Sequence, residues 1–168
     1  MDSTFDARKI AYELLDVCKE FMQEKGYLPP FGIVMEPAGR LTAVDLNFRS
    51  KEAKKHSMQR LRYLAEEVHA AGVVIITDAT YRVFPREEND PTPVREDPDF
   101  KHFFKPDGEP RPCISMDMKF KGQTTTNVMV PYQKDRDGCI VFGSPEEGPV
   151  EFTGREPPLP GDDEDPMD

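Results

Sequence analysis

Nowhere does the chain approach the ~18–20 consecutive apolar residues that a membrane-crossing helix needs, so no such helix is predicted. Cysteine is sparse as well. Cys18, Cys113 and Cys139 are widely spaced and form no CxxC pair, which fits a reducing compartment better than a secreted disulfide framework. No GxSxG, no HExxH and no phosphate-cradling glycine loop occurs, so the common motif-bearing enzyme classes are excluded and no cofactor is expected. The first residues, MDSTFDARK, begin acidic rather than with a basic signal region, and a cytoplasmic location follows as an expectation.

Positive charge is not concentrated in any obvious stripe, which argues against binding nucleic acid through its phosphates. The acidity is local. Residues 144–168 hold nine acids and one arginine, a net charge of −8, whereas the other 143 residues hold 23 acids and 21 bases, a net of −2. The low pI therefore belongs to the C-terminal stretch and not to an acidic active site. Prolines number 17 and apolar residues make up 37%, the first well above and the second below ordinary globular usage. Both departures come from two segments, the stretch 85–112 with seven prolines and the tail 145–168.

What remains patterns well. Ile10, Leu14, Val17 and Phe21 recur at helical spacing beside a second row, Ala11, Leu15, Cys18 and Met22. A helix started near Ser3–Asp6 and stopped at Lys25-Gly26 is predicted. Phe31–Met35 and Leu41–Leu46, flanking Glu36-Pro37-Ala38-Gly39-Arg40, read as a hairpin. Ser50 caps a second predicted helix with Met58, Leu61, Leu64, Ala65, Val68 and Ala71 on its apolar side and Gly72 at its stop. Gly72–Phe84 opens with five apolar, mostly β-branched residues and reads as a long, largely buried strand. Ile114, Met116, Met118 and Phe120 alternate with Ser115, Asp117, Lys119 and Lys121, a strand with one face on the core. Lys121-Gly122-Gln123 and Asp137-Gly138 turn this strand into two further ones.

The resulting order, α-β-β-α-β, a long loop, then β-β-β, predicts an α+β domain over residues 1–144. In it two helices cover one face of a mainly antiparallel sheet of about six strands. A Pro-rich insertion at 85–112 interrupts the domain, and a disordered acidic tail at 145–168 follows it. This order resembles the roadblock and profilin-like arrangement. The combination of Pro30-Phe31-Gly32, the Gly39 turn, the second helix and Val130-Pro131-Tyr132 also resembles a group of small uncharacterised bacterial α+β proteins, over roughly residues 10–84 and 114–132. The resemblance implies a fold and a bacterial setting but no activity.

Reactive chemistry has few candidates. His56 and His69 lie 13 residues apart on one helix, about 220° around its axis at 100° per residue, so they do not face one ion. His102 lies in the insertion, and no metal site is expected. Cys18 sits on the apolar stripe, and Cys113 and Cys139 open strands. Asp78 is an acid inside an otherwise apolar strand; with Asp117 and Lys119 it would form a polar cluster if all three shared a sheet face. The simpler expectation is a water-facing or cross-strand-paired set. Phe100, Phe103 and Phe104, at about 1.5–3 kcal/mol each if left in water, are expected either to anchor the insertion or to meet another chain. Arg155–Pro160 has polyproline II character.

The pattern points to a small non-catalytic interaction or regulatory module with a protein partner or a second copy of itself, joined through a sheet edge or face. Two alternatives stay open. One is an enzyme using sheet-face carboxylates beneath the 85–112 segment; the other is an acidic mimic or inhibitor of a basic partner.

Overall fold

The computed structural model describes residues 6–83 and 107–149. Within them lie helices α1 (Ala7–Lys25) and α2 (Lys51–Glu67). The strands are β1 (Phe31–Met35), β2 (Leu41–Asp45), β3 (Gly72–Tyr81), β4 (Arg111–Phe120), β5 (Thr126–Lys134), β6 (Ile140–Phe142) and β7 (Glu146–Pro149). All pairings are antiparallel, in the order β2-β1-β3-β4-β5-β6, with β7 also on β5. The fold is α+β, as the element order predicts.

Local chemistry explains the helix ends. The Asp6 carboxylate accepts from the Lys9 amide at 3.1 Å and caps α1. At the other end Gly26 takes φ 83° and donates to the Met22 carbonyl, the left-handed stop that glycine adopts without a Cβ penalty. Ser50 Oγ accepts from the Ala53 amide at 3.0 Å and starts α2. The expected stop at Gly72 is displaced: α2 ends at Glu67, and His69 makes the left-handed turn at φ 51°. Gly72 has a different task. A Cβ there would lie 2.8 Å from Cδ1 of Phe120, so its hydrogen lets β3 and that ring approach.

The placement of the helices corrects the expectation that both cover one face. α1 packs Ala11, Leu15, Cys18 and Met22 against Ile33, Met35, Val74, Ile76, Ile114, Met116, Met118, Val128 and Val130. α2 packs Met58, Leu61 and Ala65 against Val34, Val44, Val73 and Ile75. The two sets alternate along β1 and β3, so the helices lie on opposite faces. The physical reason is visible in β3, where Gly72–Ile76 are all buried. A strand apolar at both parities has to be covered twice. The coverage is unequal: α1 packs on residues from β1 to β6, whereas the core under α2 contains no residue of β4 or β5.

A second correction concerns the boundary at 144. Glu146–Pro149 form β7 against Thr126–Met129, so the folded region runs through Pro149. Composition hides this, because strand pairing is made by backbone and Glu-Glu-Gly-Pro has little β character. Glu147, opposite Val128, faces α1 and accepts hydrogen bonds from Arg8 and Tyr12. Those donors, Arg8 first, hold its carboxyl below the usual range. Burial, then Glu147, pushes the Tyr12 phenol up to about 12.

Two outcomes follow for stability. Leu61 is fully buried, with its methyls against Gly32, so Leu61→Ala costs about 2–5 kcal/mol. Exposed Glu67, replaced by alanine, stays within about 0.5 kcal/mol in the same denaturant titration. Glu147→Gln removes a solvent-exposed pair worth about 0.2–1 kcal/mol. Because the folded-state carboxyl is depressed, this deficit is full above the unfolded value near 4.3. It fades as pH falls through the lower folded value, and melting curves from pH 7 to pH 2 track the convergence of the two proteins.

Candidate functional site

Register decides which of the polar candidates meet. Asp78 pairs with Ile114, whereas Asp117 pairs with Ile75. Asp78 therefore points to the α1 side of the sheet, and Asp117 and Lys119 point to the α2 side. The three do not come together.

Asp78 is exposed near the outer end of β3, and its Oδ1 accepts from the Tyr132 hydroxyl at 2.7 Å. Burial, then that hydrogen bond, pushes the Tyr132 phenol up, so it stays a neutral donor. Cys113 is buried close by and its thiol rises to about 12, through burial first and then the Asp78 charge. Cys18, under α1, rises to about 11 for lack of solvent. A nucleophilic cysteine needs the opposite shift, so neither thiol is activated.

On the other face Asn127 holds a small network. Its Nδ2 donates to Ser115 Oγ and to Asp117 Oδ1, each at 2.8 Å. These three residues lie side by side because Asn127 pairs with Asp117 across β4 and β5. Lys119, one step further, gives its ammonium to the Gln123 carbonyl. Beyond it opens a cleft of about 460 Å³ between the end of α2 and the β4–β5 turn, with Ala65, Glu66, His69, Val73, Lys119 and Lys121 among its lining. Of the residues singled out by sequence, the cleft takes in Lys119 alone of the polar trio. Glu66, His69 and Lys121 join it because the chain turns after α2 and after β4, with His69 and Lys121 just past the ends of those elements, so no helical or strand spacing signals their convergence. Among the described residues no group of three or more His, Cys, Asp or Glu is arranged to hold a metal. Phe100, Phe103, Phe104 and His102 lie outside the described residues.

The third feature is apolar. The row Ala11, Leu15, Cys18 and Met22 is the buried one, which turns Ile10, Leu14, Val17 and Phe21 to a flank of α1. The opposite flank carries Arg8, Tyr12 and Gln23, which reach β7 and β6; the apolar flank therefore looks towards β1 and β2. Val17 on this flank is 60% exposed, Tyr27 in the connector after the helix 57% and Leu41 on β2 40%. The Phe21 and Tyr27 rings meet edge to face at 5.8 Å.

Beside this flank β2 is an outer strand. The bonds Glu36 N–H to Arg40 O and Leu46 N–H to Pro30 O set the ladder alternation. The backbone groups of Leu41 and Ala43 accordingly point away from β1. Arg60 donates to the Asp45 carbonyl and occupies the end of that edge.

No family model, curated protein or solved structure matches this chain. No helix among the described residues is long and apolar enough to cross a membrane.

The Asn127 network has a direct test. Asn127→Asp replaces the donor by a second carboxylate beside Asp117, where like charges at close range disfavour the folded state. Its melting temperature falls below that of the parent at pH 7, and the gap narrows as pH is lowered through 4, where one carboxyl takes up a proton. A pH-independent gap would instead mean that the lost donor alone is responsible.

Proposed function

We propose that this protein is a small non-catalytic interaction module that associates with a second copy of itself through the apolar flank of α1 and the adjacent edge of β2. The observation that carries this reading is the outer strand β2, whose Leu41 and Ala43 backbone groups have no strand partner among the described residues and whose Leu41 side chain is itself exposed, with Val17 and Tyr27 adding exposed apolar surface on and after α1. Scattered apolar side chains need no explanation, but a free edge strand does. A second copy suits it because a two-fold contact uses the same surface on both sides. Antiparallel pairing of β2 with its symmetry mate brings both apolar flanks to one side of the joined sheet.

The separation of Asp78 from Asp117 and Lys119 supports the same reading. Acid–base catalysis needs its groups within hydrogen-bond reach of one substrate, and the sheet lies between these.

Sedimentation of the full chain tests the proposal. It should show a concentration-dependent rise towards twice 19.2 kDa. Val17→Asp with Leu41→Asp should hold the protein at monomer mass while leaving its melting temperature nearly unchanged, since both sites face solvent. A wild-type protein that stays monomeric at high concentration, or a variant that still associates, overturns the reading.

A further inference from the structure

We infer that the cleft between α2 and β4 is a docking site for the chain's own acidic C-terminal segment, residues 150–168. Three observations lead there. The first is charge. Lys119 and Lys121 stand against a single acid, Glu66, in the lining, and Lys121 forms no ion pair among the described residues. Lys119 has given one donor to Gln123, and an ammonium carries three. The segment 150–168 holds seven acids and one arginine, with Asp162, Asp163, Glu164 and Asp165 consecutive.

The second is position. Thr126 pairs with Met118 on one side and with Pro149 on the other. Pro149 is thus two strand spacings, ~10 Å, from the residue that precedes Lys119. The third is direction. β7 runs from its pairing at Met129 towards its pairing at Thr126, the end of the sheet where Gly72 pairs with Phe120 and where the cleft opens. The chain leaves β7 heading for the basic rim. At about 3.3 Å per extended residue, the four consecutive acids reach ~40 Å from Pro149, several times the distance required.

A segment of the same chain outcompetes a separate acidic peptide, because a short tether sets an effective concentration in the millimolar range. The contact is made of solvent-exposed charges, so it weakens steeply as the screening length drops from about 8 Å to about 3 Å with added salt. Since it uses the face opposite α1, it does not compete with the flank proposed for self-association.

Carbodiimide coupling of the full chain, which joins a carboxylate to an amine in contact with it, tests the docking by peptide mass mapping. In low salt the principal tail products should link Lys119 or Lys121 to the acids at 162–165. An equal mixture of ¹⁵N-labelled and unlabelled chains should give those links within single chains. In about 1 M salt their yield should fall about fivefold while the protein stays folded. Lys121→Glu should lower the coupling that remains at Lys119 by a similar factor, which chance encounter does not predict. Tail coupling spread equally over Lys25 and Lys134 at the far end of the molecule overturns the inference. So do links formed mainly between differently labelled chains, and so does a yield that ignores both salt and Lys121→Glu.

Discussion

Five consecutive buried residues at the start of β3, Gly72–Ile76, are the constraint on which the rest of the molecule depends. Val74 and Ile76 face one way, Val73 and Ile75 the other, and each side chain left in water would cost about 1.5–3 kcal/mol. One helix cannot satisfy both sets. α1 and α2 therefore close the sheet from opposite sides, and β1, next to β3, repeats the pattern with Ile33 and Met35 against Val34. Small residues stand where the layers press closest: a Cβ at Gly32 would lie 3.0 Å from Leu61, and one at Gly72 2.8 Å from Phe120.

The two coverings are unequal, and the surfaces with potential use arise from that inequality. α1 reaches across to β6, so its central row is spent on packing and its apolar flank is turned to the β1–β2 side. α2 stops short of β4, which leaves Ser115, Asp117, Lys119 and Asn127 beside it and a cleft at its end. Polar chemistry is distributed over both faces, with the Asp78–Tyr132 pair on one and the Asn127 network on the other.

Much of the framework was legible before any coordinates. The two helices, the hairpin and the alternating strand Ile114–Phe120 follow from periodicity, because burial of one face imposes period 3.6 or period 2 on the chain. The apolar run at the start of β3 also contained the two-sided burial, since a strand covered once alternates and this one does not. The short strand β7 was not legible. Its stability comes from backbone pairing with β5 and from Arg8 and Tyr12, more than 130 positions away in the chain. The cleft drew its lining from α2, β3, β4 and the turn after β4, and no local pattern announces such convergence.

By itself, then, the sequence determined which residues form each element and which of their faces are apolar, because those are local consequences of side-chain spacing. It also determined that acidity concentrates beyond residue 144. Only the tertiary structure decided that the helices lie on opposite faces, that Asp78 is divided from Asp117 and Lys119, and that the basic cleft opens at the end of the sheet where β7 leaves. The reason is register. Whether residues on two strands share a face depends on which is opposite which, and a shift of one position reverses the answer. Asp78 opposite Ile114, and Asp117 opposite Ile75, are facts of pairing that neither strand carries alone.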